Sequence, residues 1–149
     1  MCVARSVVVV AGCFVLATPY LVAADDAADE LKKLAGRYER SFTNRAGVLF
    51  REIKEIDGDQ MTVTTFDDVN NVVHAHTSTI KTEKHGPVRL LLFFNSVALA
   101  GPHKGEKQFE TVPFIYRVDD DKLVEAWGLL EGGPSQAMMV TWNRIKDAK

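Results

Sequence analysis

The feature that most constrains the fold is a regular succession of β-rich segments and turn signals after residue 36. Clusters of Gly, Pro, Asn and Asp recur at intervals of roughly 8–15 residues. The connections are too short for the helical crossovers that parallel strands require. The pattern therefore predicts an all-β fold, an antiparallel up-and-down meander of eight strands. The predicted strands are 37–43, 48–56, 61–66, 72–81, 88–99, 108–118, 123–129 and 138–145.

Such a meander either closes into a barrel or stacks as two sheets. Closure leaves no exposed strand edges, and short hairpins favour it over Greek-key connections. With 149 residues, 46% of them apolar, the chain is long enough for one domain with its own core. We expect residues 25–149 to form a single closed barrel. A short helix with its apolar stripe at Ala27, Leu31 and Leu34 precedes it, and Gly36 ends that helix.

Residues 1–24 have the pattern of a secretory signal peptide. Arg5 is the single charged residue, and the stretch from Val7 to Val22 is nearly all apolar. Val22 and Ala24 occupy the small-residue positions of a cleavage site before Asp25, so we expect cleavage near Ala24 and a periplasmic or extracellular domain. A retained membrane anchor is the alternative, although the apolar run is shorter than the ~20 residues that span a bilayer.

Both cysteines of the chain, Cys2 and Cys13, lie within this predicted signal. Cleavage near Ala24 would leave a domain without cysteine, which excludes a disulfide framework and a thiol nucleophile. The sequence Val10-Ala11-Gly12-Cys13 also resembles a bacterial lipobox, so a lipid anchor at Cys13 is a second alternative. In that case alone we expect membrane attachment.

Charge and motifs argue against several functional classes. The chain has 18 Lys and Arg against 20 Asp and Glu, so it lacks the basic field that nucleic-acid binding needs. It contains no Gly-x-Ser-x-Gly motif and no glycine-rich phosphate loop. The sequence therefore predicts no cofactor and gives little support for an enzyme. Isolated bases such as Lys54 are interpreted as solvated strand positions.

The faces of the last two strands carry aromatic and charged side chains together. By alternation, Glu125 and Trp127 share one face, and Trp142 and Arg144 share a face of the next strand. One interpretation is that Glu125 and Arg144 pair near the barrel mouth. The other is that Arg144, beneath the two Trp rings, binds the anionic head of an apolar ligand, because its planar guanidinium matches a carboxylate.

Two histidines, His74 and His76, stand two residues apart on a predicted strand and so project from the same face. This spacing is able to chelate zinc or copper. A solvated polar face is the simpler explanation of the pair, since a structural zinc site needs four ligands. We therefore keep them as weak candidates for a metal site.

The segment Leu34-Ala35-Gly36-Arg37-Tyr38 resembles the start of lipocalin-like (calycin) barrels. Those barrels begin after a short helix with Gly-x-Trp on the first strand, and Tyr38 stands in the Trp position here. Arg144 lies in the region where such families stack an Arg over that aromatic ring. The resemblance implies an eight-stranded barrel with a small apolar ligand in its cup. It also implies a closing stack of Tyr38 and Arg144, which competes with ligand binding by Arg144.

The leading hypothesis is an exported, non-enzymatic barrel that binds a small apolar or amphipathic ligand. A structural or protein-interaction module of the cell envelope with a filled interior is the first alternative. A metal-dependent enzyme using His74 and His76 is the second. The candidate ligand-binding residues are Arg144, Trp142, Trp127, Glu125 and Tyr38.

Overall fold

The computed structural model describes residues 22–130 and 137–146. The predicted signal segment up to residue 21, Cys13 and the predicted turn at residues 131–134 lie outside the described residues. Within them, no helix combines the length and apolar character needed to cross a membrane.

In the described residues, one helix is followed by nine strands. The described part of this helix starts at Val22, so the predicted cleavage point near Ala24 lies within it. The predicted strand at 108–118 is two strands, a short β6 and a longer β7. The elements are α1 (Val22–Leu34), β1 (Gly36–Thr43), β2 (Leu49–Asp57), β3 (Gln60–Phe66), β4 (Val72–His85), β5 (Val88–Ala100), β6 (Lys107–Gln108), β7 (Val112–Val118), β8 (Lys122–Trp127) and β9 (Met138–Arg144).

The sheet closes on itself as an antiparallel barrel. The order β4-β3-β2-β1-β9-β8-β7-β5 is completed by pairing of β4 with β5, while β6 pairs with the end of β5. The first strand, β1, also pairs with the last strand, β9, and in this pairing Tyr38 lies opposite Arg144. The predicted all-β, eight-stranded closed meander with a short N-terminal helix is therefore confirmed.

The alternating strand directions give the barrel two different ends. One end carries α1 and the tight β2–β3, β4–β5 and β7–β8 turns; we call it the closed end. There Leu34 is fully buried in the core and Leu31 packs against it. The other end carries the longer connections β1–β2, β3–β4, β5–β7 and β8–β9, and we call it the open end.

Residues 90–94 of β5 are apolar on both faces, so their outward face offers apolar surface that a helix could cover. The helix instead packs across the closed end, where Leu34 joins the inward-facing Leu91 in the core. The outward-facing Leu90, Leu92 and Phe94 stay partly exposed. A short helix at the end of a barrel buries its apolar stripe against the interior, which leaves the outer face of β5 without it.

A β-bulge in β5 changes which side chains face the lumen. Asn95 adopts a left-handed conformation (φ 53°), and the pairing with β4 shifts register beside it. As a result both Phe93 and Ser96 point inward, although they are three residues apart; the Ser96 hydroxyl lies 2.7 Å from that of Ser78 on β4. Bulges of this kind reverse the inside-outside alternation of a strand.

Candidate functional site

The lumen holds a cavity of about 520 Å³ at the open end of the barrel. This volume lies within the range of about 300–1,000 Å³ typical of small-molecule sites. Eight of its eighteen lining residues are apolar or aromatic, and the other ten are polar or charged. The lining residues are Glu52, Lys54, Met61, Val63, His74, His76, Ser78, Phe93, Ser96, Ala98, His103, Glu106, Lys107, Gln108, Val112, Phe114, Trp127 and Trp142.

The inner part of the site is built around a buried ion pair. Lys54 on β2 donates a hydrogen bond to Oε1 of Glu125 on β8, and both side chains are almost fully buried, at 2% and 0% exposure. The other carboxylate oxygen of Glu125 accepts hydrogen bonds from the indole N–H groups of Trp142 (2.9 Å) and Trp127 (3.1 Å). Both oxygens of the carboxylate thus accept hydrogen bonds, from three donors in all. The two bonds from the indole N–H groups fix the orientation of both rings.

A second ion pair lies beside the first. Arg40 on β1 pairs with Glu52 on β2, whose other oxygen accepts a hydrogen bond from Thr65 at 3.0 Å. The guanidinium carbon lies 4.7 Å from the ring centre of Trp142 and 4.9 Å from that of Trp127. Each inward cation therefore has both a carboxylate partner and an aromatic face.

Lys54 was expected to be solvated, and that expectation is wrong. Its ammonium lies 4.2 Å from the ring centre of Trp142, inside the barrel. Burial lowers the pKa of Lys54, and the Glu125 carboxylate opposes that shift. The inward face of β2 was ambiguous from sequence, because Glu52, Lys54 and Ile56 alternate with Arg51, Ile53 and Glu55, each set with two charges and one apolar residue.

The two predicted neighbours on β4, His74 and His76, do share a face, and that face points into the cavity. Nε2 of His74 lies 3.2 Å from Nδ1 of His76, and the ring centres are 5.3 Å apart. Burial is the main cause that lowers the pKa of His76, and the neighbouring His74 adds to it. Among residues 22–130 and 137–146, no group of three or more His, Cys, Asp or Glu is arranged to hold a metal.

Tyr38 and Arg144 lie at the closed end, against the C-terminal end of α1. Arg144 donates hydrogen bonds to the carbonyls of Ala35 (2.7 Å) and Lys33 (2.8 Å) and to the Tyr38 hydroxyl. Its guanidinium carbon is 4.7 Å from the Tyr38 ring centre, and that hydroxyl donates to the carbonyl of Leu34 at 2.8 Å. These contacts match the closing stack that the lipocalin resemblance implies.

Glycine at position 36 makes this stack feasible. Gly36 has φ of 136°, and a Cβ atom there would lie 2.7 Å from Nη1 of Arg144. A side chain at this position would therefore be strained and would displace the guanidinium. This contact occurs where α1 meets β1. The space left beside Gly36 therefore lets Arg144 of β9 contact both the end of the helix and the first strand.

The expected pairing of Glu125 with Arg144 is wrong. That pairing requires Leu129 to lie near Met138 across the hairpin, but the register places Trp127 opposite Met138. Glu125 therefore lies opposite Val140, and Arg144 is displaced toward the closed end, where its backbone N–H donates to the carbonyl of Asp121. A two-residue difference in register keeps every side chain on its predicted face but separates the two charges.

A second depression, of about 600 Å³, lies outside the barrel beside α1. Its walls are formed mostly by charged side chains, several of them paired with one another: Arg89 lies 3.1 Å from Glu30, and Lys81 lies 3.0 Å from Glu83. The Tyr116 hydroxyl donates to Glu30 at 3.1 Å. This depression is the polar seam between helix and barrel, and Tyr116 is the one Phe, Tyr or Trp residue in its lining.

The structure divides the predicted binding residues into two groups. Glu125, Trp127 and Trp142 meet in the lumen, whereas Tyr38 and Arg144 close the opposite end. Sequence reasoning missed Lys54, Arg40 and the aromatic wall formed by Phe93 and Phe114, whose ring centres are 4.9 Å apart. The ring of Trp127 stacks on Phe114, with the ring centres 5.4 Å apart.

No family model, curated protein or solved structure matches this chain. The lipocalin-like resemblance therefore stays a prediction, supported by the closed barrel and by the stack of Arg144 on Tyr38.

Proposed function

We propose that the barrel is a non-enzymatic binding protein for a small, mainly apolar and uncharged molecule, held in the lumen. The observation that carries this proposal is the cavity of about 520 Å³, open at one end and walled by aromatic side chains. A cavity of this size supports ligand binding over the alternative of a structural module with a filled interior.

The charges of the site favour an uncharged ligand. Lys54 is balanced by Glu125, and Arg40 is balanced by Glu52, so the inner charges cancel pairwise. A charged ligand would add an unpaired ion to a desolvated site, which costs several kcal/mol, as for any ion without a partner. The Lys54 ammonium has hydrogens beyond the one used by Glu125, and it can donate to a carbonyl or hydroxyl oxygen of a ligand.

This assignment replaces Arg144 with Lys54 as the polar group that contacts the ligand. Arg144 uses its donors on α1 and Tyr38 at the closed end, away from the cavity. The hypothesis of a metal-dependent enzyme has less support. Among the described residues, no third His, Cys, Asp or Glu is arranged with His74 and His76 to hold a metal. We also propose that the protein acts outside the cytoplasm, on the sequence pattern of residues 1–24 alone.

The test is a titration with the neutral apolar probe N-phenylnaphthylamine, followed by its probe emission and by quenching of Trp127 and Trp142. We expect saturable binding of one probe per chain. A neutral aliphatic alcohol should displace the probe at lower concentration than the carboxylate or the amine of the same chain length. Equal displacement by the carboxylate would contradict the uncharged-ligand assignment.

A matched pair of variants on β5 places the bound probe. Ala98→Trp fills the cavity, since Ala98 lines it, and we expect binding to fall at least about tenfold. Leu99→Trp adds the same bulk one residue further on, at an exposed position outside the lumen, and should bind as the wild type does. Unchanged binding by Ala98→Trp would place the probe outside the lumen and refute the proposed function.

A further inference from the structure

Two polar side chains of the lumen flank a short apolar one in a row across three neighbouring strands. Lys54 on β2 lies opposite Val63 on β3, and Val63 lies opposite His76 on β4. All three line the cavity. Neighbouring strands are about 4.8 Å apart, so the backbones of Lys54 and His76 are roughly 10 Å apart. The space over Val63 is therefore bounded by a cationic side chain on one side and by an imidazole on the other.

The imidazole of His76 keeps one ring nitrogen for a ligand. Its Nδ1 lies 3.2 Å from Nε2 of His74, and the proton of that contact can belong to either ring. Nε2 of His76 is not used in this contact, and it donates or accepts according to where that proton lies. Burial lowers the pKa of His76, and the charges of His74 and Lys54 add to the shift. The ring is therefore neutral at pH 7 and keeps both capacities.

A hydroxyl group between Lys54 and His76 suits both side chains. The Lys54 ammonium has three N–H donors, of which one is donated to Glu125, so another can be donated to a hydroxyl oxygen. That hydroxyl donates its own hydrogen where Nε2 of His76 accepts, and it offers a second lone pair where Nε2 donates. A carbonyl oxygen only accepts and so fits one of the two proton arrangements of the histidine pair. A hydroxyl group fits both.

The wall across the lumen from this row is aromatic. In the closed barrel β8, which carries Trp127, is four strands away from β3 in either direction, so the two strands lie on opposite sides. The ring centres of Phe93 and Phe114 are 4.9 Å apart, and those of Phe114 and Trp127 are 5.4 Å apart. Stacked and edge-to-face contacts between aromatic rings are favourable beyond the apolar area that they bury. The wall therefore favours an aromatic ligand over a saturated one of the same size.

We propose that the ligand of the lumen is an uncharged aromatic molecule with a hydroxyl group on one edge. The hydroxyl group lies over Val63, between Lys54 and His76, and the ring system lies against the aromatic wall. A hydrocarbon in the same place would leave Nε2 of His76 and the second donor of Lys54 without hydrogen-bond partners, which is unfavourable in a desolvated site. This inference names the ligand class of the proposed function and rests on that function.

The first test compares 2-naphthol with 2-methylnaphthalene, in which a methyl group replaces the hydroxyl group. Their dissociation constants are measured by displacement of N-phenylnaphthylamine, whose own constant is determined for each variant. The preference for 2-naphthol is the ratio of the two constants, and transfer of the ligands from water cancels when this ratio is compared between variants. We expect His76→Leu to lower the preference at least about fivefold.

The matched control is Thr79→Val, which removes a hydroxyl group from the outward face of the same strand, between the inward-facing Ser78 and Ile80. We expect it to keep the wild-type preference. An unchanged preference in His76→Leu overturns the inference. A measurement without substitution is the ¹⁵N resonance of His76 Nε2 in the wild type, which should shift with 2-naphthol and not with 2-methylnaphthalene. The same response to both ligands also overturns the inference.

The second test concerns the aromatic part of the ligand. Phe114→Leu should lower the preference for 2-naphthol over its saturated counterpart, decahydro-2-naphthol, by about threefold. An unchanged ratio contradicts contact of the ligand ring with the aromatic wall. These failures leave the proposed function intact as long as N-phenylnaphthylamine binds the wild type and Ala98→Trp weakens its binding. Without that binding the proposed function fails, and the ligand class fails with it.

Discussion

At the scale of single residues, the buried pair of Lys54 and Glu125 has the largest effect on the lumen. Taking two ions out of water costs several kcal/mol each, and their attraction offsets that cost only when the remaining hydrogen-bonding capacity is used. Glu125 meets this condition through Lys54, Trp127 and Trp142. The pair therefore orients the aromatic walls of the cavity as well as balancing charge.

Removing one member of the pair should be much worse than removing both. Lys54→Met leaves Glu125 buried without its cation, and we expect a loss of about 3–5 kcal/mol in the free energy of unfolding. The double variant Lys54→Met/Glu125→Gln should recover most of that loss, because no uncompensated ion remains. Urea denaturation measures both.

The control for this cycle is an exposed ion pair. Lys81 pairs with Glu83 on the outside of β4, with the Lys81 side chain 60% exposed. Lys81→Met should change the free energy of unfolding by no more than about 0.5–1 kcal/mol. A loss for Lys54→Met as small as that for Lys81→Met would show that Lys54 is solvated.

The lowered pKa of His76 predicts a dependence of stability on pH. Burial keeps the folded state from taking up a proton, whereas the unfolded chain binds it near the usual pKa of about 6.5. The unfolded state thus binds more protons as pH falls below that value, and stability decreases from there down to the folded-state pKa. His76→Gln should flatten this slope.

Urea denaturation between about pH 5 and pH 7.5 tests the histidine prediction, with the pH window set by the usual imidazole pKa. The matched control is His85→Gln, since His85 is exposed at the end of β4. We expect this variant to keep the wild-type slope. A wild-type slope in His76→Gln would mean that another group causes it.

At the scale of elements, the attachment of α1 depends on β9 more than on the helix itself. A helix of this length is marginal alone in water, and its apolar stripe is short. Arg144 supplies donors to carbonyls at its C-terminal end, which are left without partners inside the helix. Leu34 supplies the buried contact with the core.

Arg144→Met should detach the end of the helix without affecting the ligand site. We expect a loss of about 1.5–3 kcal/mol in the free energy of unfolding, the range for hydrogen bonds to a charged group. Probe binding per folded chain should be unchanged, because the cavity lies at the other end. The control is Arg117→Met, which removes an exposed pair with Asp119. Weakened probe binding by Arg144→Met would instead place Arg144 in the ligand site.

Much of this architecture could be predicted from the sequence. Turn signals such as Asp57-Gly58 mark real hairpins: Asp57 pairs with Gln60, and Gly58 takes a φ of 57°. Alternation correctly placed Trp127 and Trp142 inside. Alternation fails after Asn95, because the bulge there depends on pairing with β4 and has no local signal in the apolar run that precedes it.

The site was harder to predict than the fold because its charges pair across the barrel. Lys54 and Glu125 are 71 residues apart, and their contact exists only when the sheet has closed. The residue pattern alone does not distinguish a buried Lys from a solvated one, since both alternate with apolar neighbours along a strand. The register of β8 and β9 likewise decides which charge meets Glu125, and that register is set by the whole hairpin and its connection.

At the scale of the whole molecule, the two ends of the barrel have different roles. Helix, Tyr38 and Arg144 seal one end, while the other carries the mouth of the cavity. The central claim is that a ligand enters the lumen through that mouth and contacts the aromatic walls. Closure of β1 on β9 is what makes the lumen an enclosed space.

The most direct test is solution NMR of the isotope-labelled protein with unlabelled N-phenylnaphthylamine. We expect intermolecular nuclear Overhauser effects between the probe and the side chains of Phe93, Phe114 and Trp127, which line the cavity. Effects confined to exposed side chains such as Phe109 and Val69, with none to the cavity walls, would contradict the account.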